Sequence, residues 1–218
     1  MGRLHVSLIL WFNVGSSGFR IKIEPAPKTK VILNVTPRGV LNFSQLQSDR
    51  KILSLRDLTL TRVQCLAYTR QRKAFGKHLA EQPLMRAVLA DLALETEAAM
   101  QLSFHLAHCY ETDDALSVAW KRIMTPASKF WICKRAVELT GEMMEIFGGN
   151  GYVDNGIMAR IFKEAPVNTI WEGSGNVMCL DVLRAISRDV ESIKILFQDL
   201  ATTAMQDEQL KQELQNLF

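Results

Sequence analysis

From about Ser44 onward, apolar residues recur at helical spacing, and before that point they do not. Ile52, Leu55, Leu58, Val63, Leu66 and Ala67 share roughly one helical face, and Gly76 ends that helix. Pro83 suits the first turn of a second helix. Its stripe is Leu84, Val88, Leu92, Glu95, Ala99, Leu102, Leu106 and Cys109, ending near Thr112, with Asp113 and Asp114 as break and cap. A third helix is predicted from Ala115 to Phe147, stopped by Gly148-Gly149 and bent or split by Pro126. A short helix over Ile157 to Lys163 precedes Pro166, another spans Gly175 to Ile186, and a polar helix covers Val190 to Leu214. Long helices joined by short connections predict an all-α fold, an antiparallel helical bundle of the four-helix type.

The first 43 residues read differently. Gly15-Ser16-Ser17-Gly18, Pro25-Ala26-Pro27 and Pro37-Arg38-Gly39 punctuate short β-prone runs, Phe19 to Ile23 and Lys30 to Val35. The apolar run Val6 to Val14 reads as a strand or a disordered start. Asn13 interrupts it, no small-residue cleavage site follows, and it is too short for a membrane span. Three segments result: 1–43, short strands or disorder; 44–187, the helical bundle; and 188–218, an acidic C-terminal helix.

Composition narrows the function classes. At 48% hydrophobic and 22% charged, the 218-residue chain is of the soluble globular kind. A net charge of +3 gives no argument for nucleic acid. Cys65, Cys109, Cys133 and Cys179 form no CxxC pair, which predicts reduced thiols in an intracellular setting, mitochondrial or cytoplasmic, and no zinc site. His105, His108 and Cys109 lack a convincing further ligand, so no metal is expected.

The candidate chemistry lies in three segments. Trp171-Glu172-Gly173-Ser174-Gly175-Asn176 sets a carboxylate beside bulky Ile170 and Trp171, before a glycine-spaced turn that a ligand can approach. By itself this also describes an acid near a helix N-terminus, favourable by about 0.3–1 kcal/mol through the helix dipole. Arg72-Lys73-Ala74-Phe75-Gly76 offers a guanidinium fork fit for a pyrophosphate and a flat apolar side chain. On spacing alone it is a basic helix C-terminus. Phe147-Gly148-Gly149-Asn150-Gly151-Tyr152 ends a long helix with backbone open to close approach.

In that order, the three segments resemble the C-terminal helical domain of the acyl-CoA dehydrogenases. The likeness is strongest from Tyr68 to Ile186, and Trp-Glu-Gly-Ser-Gly-Asn looks most like the AidB-like branch. Family members read R-x-x-F-G, Q-x-x-G-G-x-G-[FY] and I-[YF]-E-G-T. This chain departs at Glu145, Trp171 and Ser174, where the family has Gln, Tyr or Phe, and Thr. The resemblance implies FAD as cofactor, an acyl-CoA substrate and α,β-dehydrogenation of its thioester with Glu172 as base. It implies flavin contacts from Arg72, Phe75, Gln82, Gly148, Gly149, Ser174 and Asn176, several of them to the flavin of a neighbouring subunit. It implies a homo-oligomer, dimer or tetramer, built through the bundle. The family's N-terminal helical and middle β domains have no room in the non-matching residues, so the chain is expected to be incomplete and inactive alone. Two other readings stand beside this one: an assembly module of a flavoprotein, and a DNA-associated alkylation-response flavoprotein of the AidB-like type. Charge does not support the DNA reading.

Overall fold

A computed structural model of the chain describes residues 7–15, 18–26, 50–208 and 211–212. The chain divides into two units, Met1–Asn42 and Phe43–Phe218. In the first, strand β1 (Ser7–Gly15) pairs antiparallel with β2 (Gly18–Ala26), in register from Ser7 opposite Ala26 to Gly15 opposite Gly18. The strand expected over Phe19 to Ile23 lies within β2; the one expected over Lys30 to Val35 lies outside the described residues.

The second unit is helical. Helix α1 (Arg50–Gln71) leads through a small hairpin, β3 (Lys73–Ala74) and β4 (Lys77–His78), and a 3-10 turn (Leu79–Glu81) to α2 (Pro83–Cys109). Then follow α3 (Ala115–Ile146), α4 (Gly149–Tyr152), α5 (Ile157–Asn168), α6 (Gly175–Arg188) and α7 (Val190–Ala204). Helix α3 is the axis, in contact with α1, α2, α5, α6 and α7. Around its C-terminal part, Leu58, Cys65, Leu92, Ala99, Ile132, Ala136, Met143 and Met158 form one core. Around its N-terminal part, Cys109, Ala119, Trp120, Ile123, Ala185 and Leu196 form a second.

The buried face of α1 differs from its apolar stripe. Thr61, Cys65 and Thr69 are buried, whereas Val63, Leu66 and Ala67 are only half-buried. Burying a hydroxyl is costly unless it is bonded. Here Thr61 donates to Asp57 O and Thr69 to Cys65 O, each one helical turn back. Thr96 and Thr140 do the same on α2 and α3. Small self-satisfied threonines let the helices approach closely, and Gly141 does so again against the Phe162 ring.

Helix boundaries bring further corrections. Helix α3 is not split: it runs unbroken through the buried Pro126. The missing N–H forfeits one rung, and the flanking turns carry the axis on. Helix α5 continues past Lys163 and through Pro166 to Asn168. Helix α7 ends at Ala204, closed by tight bonds from Gln206 to Thr203 O and from Asp207 to Ala204 O; helical backbone resumes at residues 208 and 211–212, and the remainder of the helix expected to Leu214 lies outside the described residues.

Two carboxylates cap the helices. Asp114 accepts from Ser117 N at 3.0 Å and Ser117 Oγ at 2.7 Å; Asp189 accepts likewise from Ser192. These bonds from Ser117 hold the Asp114 carboxyl down at about 2, against an ordinary 3.8. A depressed folded-state value means stabilisation that is present above pH 3.8 and lost as the pH falls toward 2. Thermal unfolding midpoints measured from pH 5 to pH 2 are therefore expected to fall most steeply below pH 4. Asp114→Ala is expected to flatten part of that fall.

Candidate functional site

The first two motifs meet at the C-terminal end of α3. Tyr68, near the end of α1, stacks on Phe147 with ring centroids 4.3 Å apart, and its hydroxyl donates to Phe147 O at 3.4 Å. That contact brings the chain leading to Arg72 alongside the chain leading to Gly148. Beyond α1, Phe75 (φ 53°) and Gly76 (φ 81°) link β3 to β4, the pair of positive φ values that a type I′ turn needs. Glycine takes that backbone freely, but an aromatic residue pays for it, roughly 1–3 kcal/mol. Phe75 is also 97% exposed, so no burial within this unit repays the cost. Arg72 is exposed too, and its guanidinium makes no hydrogen bond or ion pair among the described residues. Gln82 braces the hairpin by donating from Nε2 to Ala74 O at 3.1 Å.

The glycines after Phe147 do different work. Gly148 has φ 59° and ψ −141°, a backbone that is nearly glycine-only. A Cβ on Gly148 or Gly149 would meet nothing within 4 Å, so the backbone there is open to a ligand. A Cβ on Gly151 would run into Met144 O and the Phe147 side chain. Gly151 is therefore a packing requirement, seating α4 on the end of α3. Gly151→Ala is expected to cost about 1–3 kcal/mol. That is a fall of roughly 2–4 °C in unfolding midpoint per kcal/mol. Gly149→Ala is expected to stay within about 0.5 kcal/mol of the parent, as read by thermal denaturation.

The third motif lies elsewhere on α3. After α5 the chain turns through Trp171, Glu172 and Gly173 before entering α6. Glu172 has φ 55° and Gly173 φ 111°; Glu172 is exposed, with Ile170 and Trp171 beside it 63% and 39% exposed. The Glu172 side chain is thus exposed, where the sequence suggested an apolar cleft. Ser174 is the N-cap of α6, yet its hydroxyl makes no cap bond, and Asn176 is exposed in the first turn. Gly175 packs on Phe130 and Lys134 of α3, where a Cβ would come within 3.2 Å of each.

Sequence reasoning missed the residue that organises this turn. Lys129 of α3 is only 6% exposed. Its ammonium donates to Asn168 O and Trp171 O, each at 3.2 Å, and to Gly173 O. The buried Asn168 also accepts from the Trp171 indole N–H at 3.0 Å. The signal was present: Lys129 sits on the face of α3 that buries Ile132, Cys133 and Ala136, where a lysine needs a reason.

Gly175 contacts α3 near residues 130 to 134, whereas Phe147 follows its last turn. At 1.5 Å of rise per residue, that separates the Glu172 turn from the Arg72 and Gly148 group by roughly 20 Å along the helix. One chain therefore brings Arg72, Phe75, Gln82, Gly148 and Gly149 together and holds Glu172, Ser174 and Asn176 apart from them. A groove of about 550 Å³ between α2 and α3 touches neither group. In it, Arg135 is already paired with Glu95 and Glu138. His105 stands edge-on to Trp120 at 4.4 Å, and no cluster of metal-ligating side chains forms among the described residues.

The family description "Acyl-CoA dehydrogenase, C-terminal domain" matches residues 53–187. AidB of Escherichia coli (strain K12) is 43% identical over 141 residues, 64% of this chain and 26% of that protein. Acyl-CoA dehydrogenase family member 11 of Caenorhabditis elegans is 34% identical over 154 residues, 66% of this chain and 25% of that protein. The chain thus spans about a quarter of the length of these curated relatives. Among solved structures, Caenorhabditis elegans ACDH-11 in complex with C11-CoA superposes with a TM-score of 0.71 at 27% identity, covering 80% of this chain and 31% of that one. Butyryl-CoA dehydrogenase of Megasphaera elsdenii gives 0.58 at 25% identity, over 64% and 35%.

Proposed function

The chain belongs to the acyl-CoA dehydrogenase family through its C-terminal helical domain, and from that premise we propose that it serves α,β-dehydrogenation of an acyl-CoA thioester. It supplies the base, Glu172, and a cradle for FAD. The observation that carries this reading is the group at the end of α3. A strained, fully exposed Phe75, an exposed Arg72 and two glycines with open space above them are gathered by the Tyr68–Phe147 stack. Each is poorly explained by the fold alone and fits an elongated cofactor that carries a diphosphate.

Arg72 grips the diphosphate through its fork, Phe75 covers an apolar flank, Gln82 adds an amide, and Gly148 and Gly149 admit the backbone side. Ser174 and Asn176 hold the flavin nearer Glu172. Because the two groups stand apart on α3, they serve two flavins, one in the chain's own subunit and one in a neighbour. The flavin, when bound, supplies the capacity to accept a hydride from the β-carbon. Glu172 takes the α-proton as general base. Its backbone N–H donates to the thioester oxygen, where negative charge develops. An acyl-CoA substrate is in keeping with the C11-CoA bound to the similar nematode protein. The four free cysteines fit a reducing, intracellular setting.

A second reading, assembly, draws on α6, which exposes Val177 (50%), Leu180 (59%) and Leu183 (60%). The test of both is purification with excess FAD, followed by flavin absorbance, sedimentation and assay for enoyl product. Flavin retained only in an oligomer, with no turnover by the chain alone, is the expected result. A strict monomer at high concentration removes the assembly reading, and a chain that never retains FAD removes the cradle.

A further inference from the structure

We propose that Lys129 is a positioning residue that aims the backbone N–H of Glu172. The proposal rests on the reading of Glu172 as the residue whose backbone and carboxylate meet the thioester. Lys129 reaches the turn from the side of α3 and is buried there. Its partners are the carbonyls of Asn168, Trp171 and Gly173. Three acceptors use the three N–H donors of a lysine completely, which is why the charge is tolerated there.

The consequence for Glu172 follows from peptide geometry. The Trp171 C=O and the Glu172 N–H belong to one planar peptide, and the described residues contain no cis bond. In a trans peptide the two groups point in opposite directions. With the carbonyl fixed on Lys129 Nζ, the Glu172 N–H is directed away from α3. A charged donor on the carbonyl also polarises the peptide and strengthens its N–H as a donor. A second clamp on Gly173 O brackets the positive φ values of Glu172 and Gly173. A left-handed glutamate persists only where its surroundings over-determine it, and Lys129, with Asn168 holding the Trp171 indole, does that here.

The test uses the ¹⁵N-labelled chain, so it does not depend on turnover. Lys129→Met keeps the length of the side chain and removes its donors; Lys194→Met, an exposed lysine on α7 with no contact to the turn, is the control. With Lys129→Met, the amide resonances of Glu172, Gly173 and Ser174 should move, while α1 to α3 keep their hydrogen-exchange protection. Lys194→Met should leave those resonances in place. Unchanged Glu172 and Ser174 amide shifts in folded Lys129→Met overturn the proposal. Should Lys129→Met fail to fold, the parent chain decides. Slowly exchanging Lys129 ammonium protons coupled to the carbonyls of residues 168, 171 and 173 support the clamp, and a rapidly exchanging, uncoupled ammonium overturns it. Turnover of Glu172→Gln in a flavin-loaded assembly separates the two ideas. If Glu172→Gln keeps its rate while Lys129→Met disorders the turn, the base reading falls and the clamp stands.

Discussion

Glu172→Gln is expected to slow acyl-CoA oxidation by roughly 10²–10⁴-fold in any flavin-loaded assembly that contains this chain, the range a positioned general base supplies. Glutamine keeps the size of the side chain and leaves the backbone N–H in place, still directed by Lys129. Binding of the acyl thioester should therefore change little, and the loss should fall on kcat rather than on KM. Folding stability should stay within about 0.5 kcal/mol of the parent, because Glu172 is exposed and glutamine tolerates the φ of 55° no better. Glu172→Gly makes the complementary case. It also removes the base, but it relieves a left-handed side chain, so it should stabilise the isolated chain while abolishing turnover. Product formation at saturating acyl-CoA, beside thermal unfolding of the same variants, reads both effects. A Glu172→Gln assembly that turns over at the parental rate would move the base elsewhere in the protein.

Much of the bundle was legible because its signals are local. Pro83, Asp114 and Gly175 sit where helices α2, α3 and α6 begin, and each owes its place to backbone rules that act within one turn. What sequence could not show was which residues a helix buries when its core face is not apolar. Thr61 and Thr69 look like solvent-facing residues until their hydroxyls are seen bonded one turn back. The spacing of Lys129 from Ile132, Cys133 and Ala136 marks it as buried, but does not mark the carbonyls of a loop some forty residues later that close around it. Those partners are distant in sequence, and no periodicity encodes them. The motif glycines were legible as a group and not as individuals. Only the packing against Met144 and Phe147 separates Gly151, which the fold requires, from Gly149, which it does not.

Arg72→Met is expected to weaken FAD retention by roughly tenfold to a hundredfold with almost no effect on folding. Hydrogen bonds to a charged group contribute about 1.5–3 kcal/mol each. With about 1.4 kcal/mol per factor of ten, even one such bond to a diphosphate gives that loss. Among the described residues nothing makes use of the guanidinium: Arg72 is exposed and bonded to no side chain there. Arg72→Lys restores the charge and not the fork, so it should recover only part of the affinity. The parent's flavin affinity should fall with added salt more steeply than that of Arg72→Met, since a charge pair at the surface is screened over about 10 Å at 0.1 M. The plainer reading of Arg72, a cation complementing the C-terminus of α1, makes the opposite forecast. Its loss would then lower stability by about 0.3–1 kcal/mol and leave flavin untouched. That role already has an occupant in Arg70, inside the last turn of α1, whereas Arg72 lies beyond it and leads into the Phe75 hairpin. Titration of FAD against the parent and both variants, with unfolding midpoints measured in parallel, separates the two, because each account predicts a change where the other predicts none.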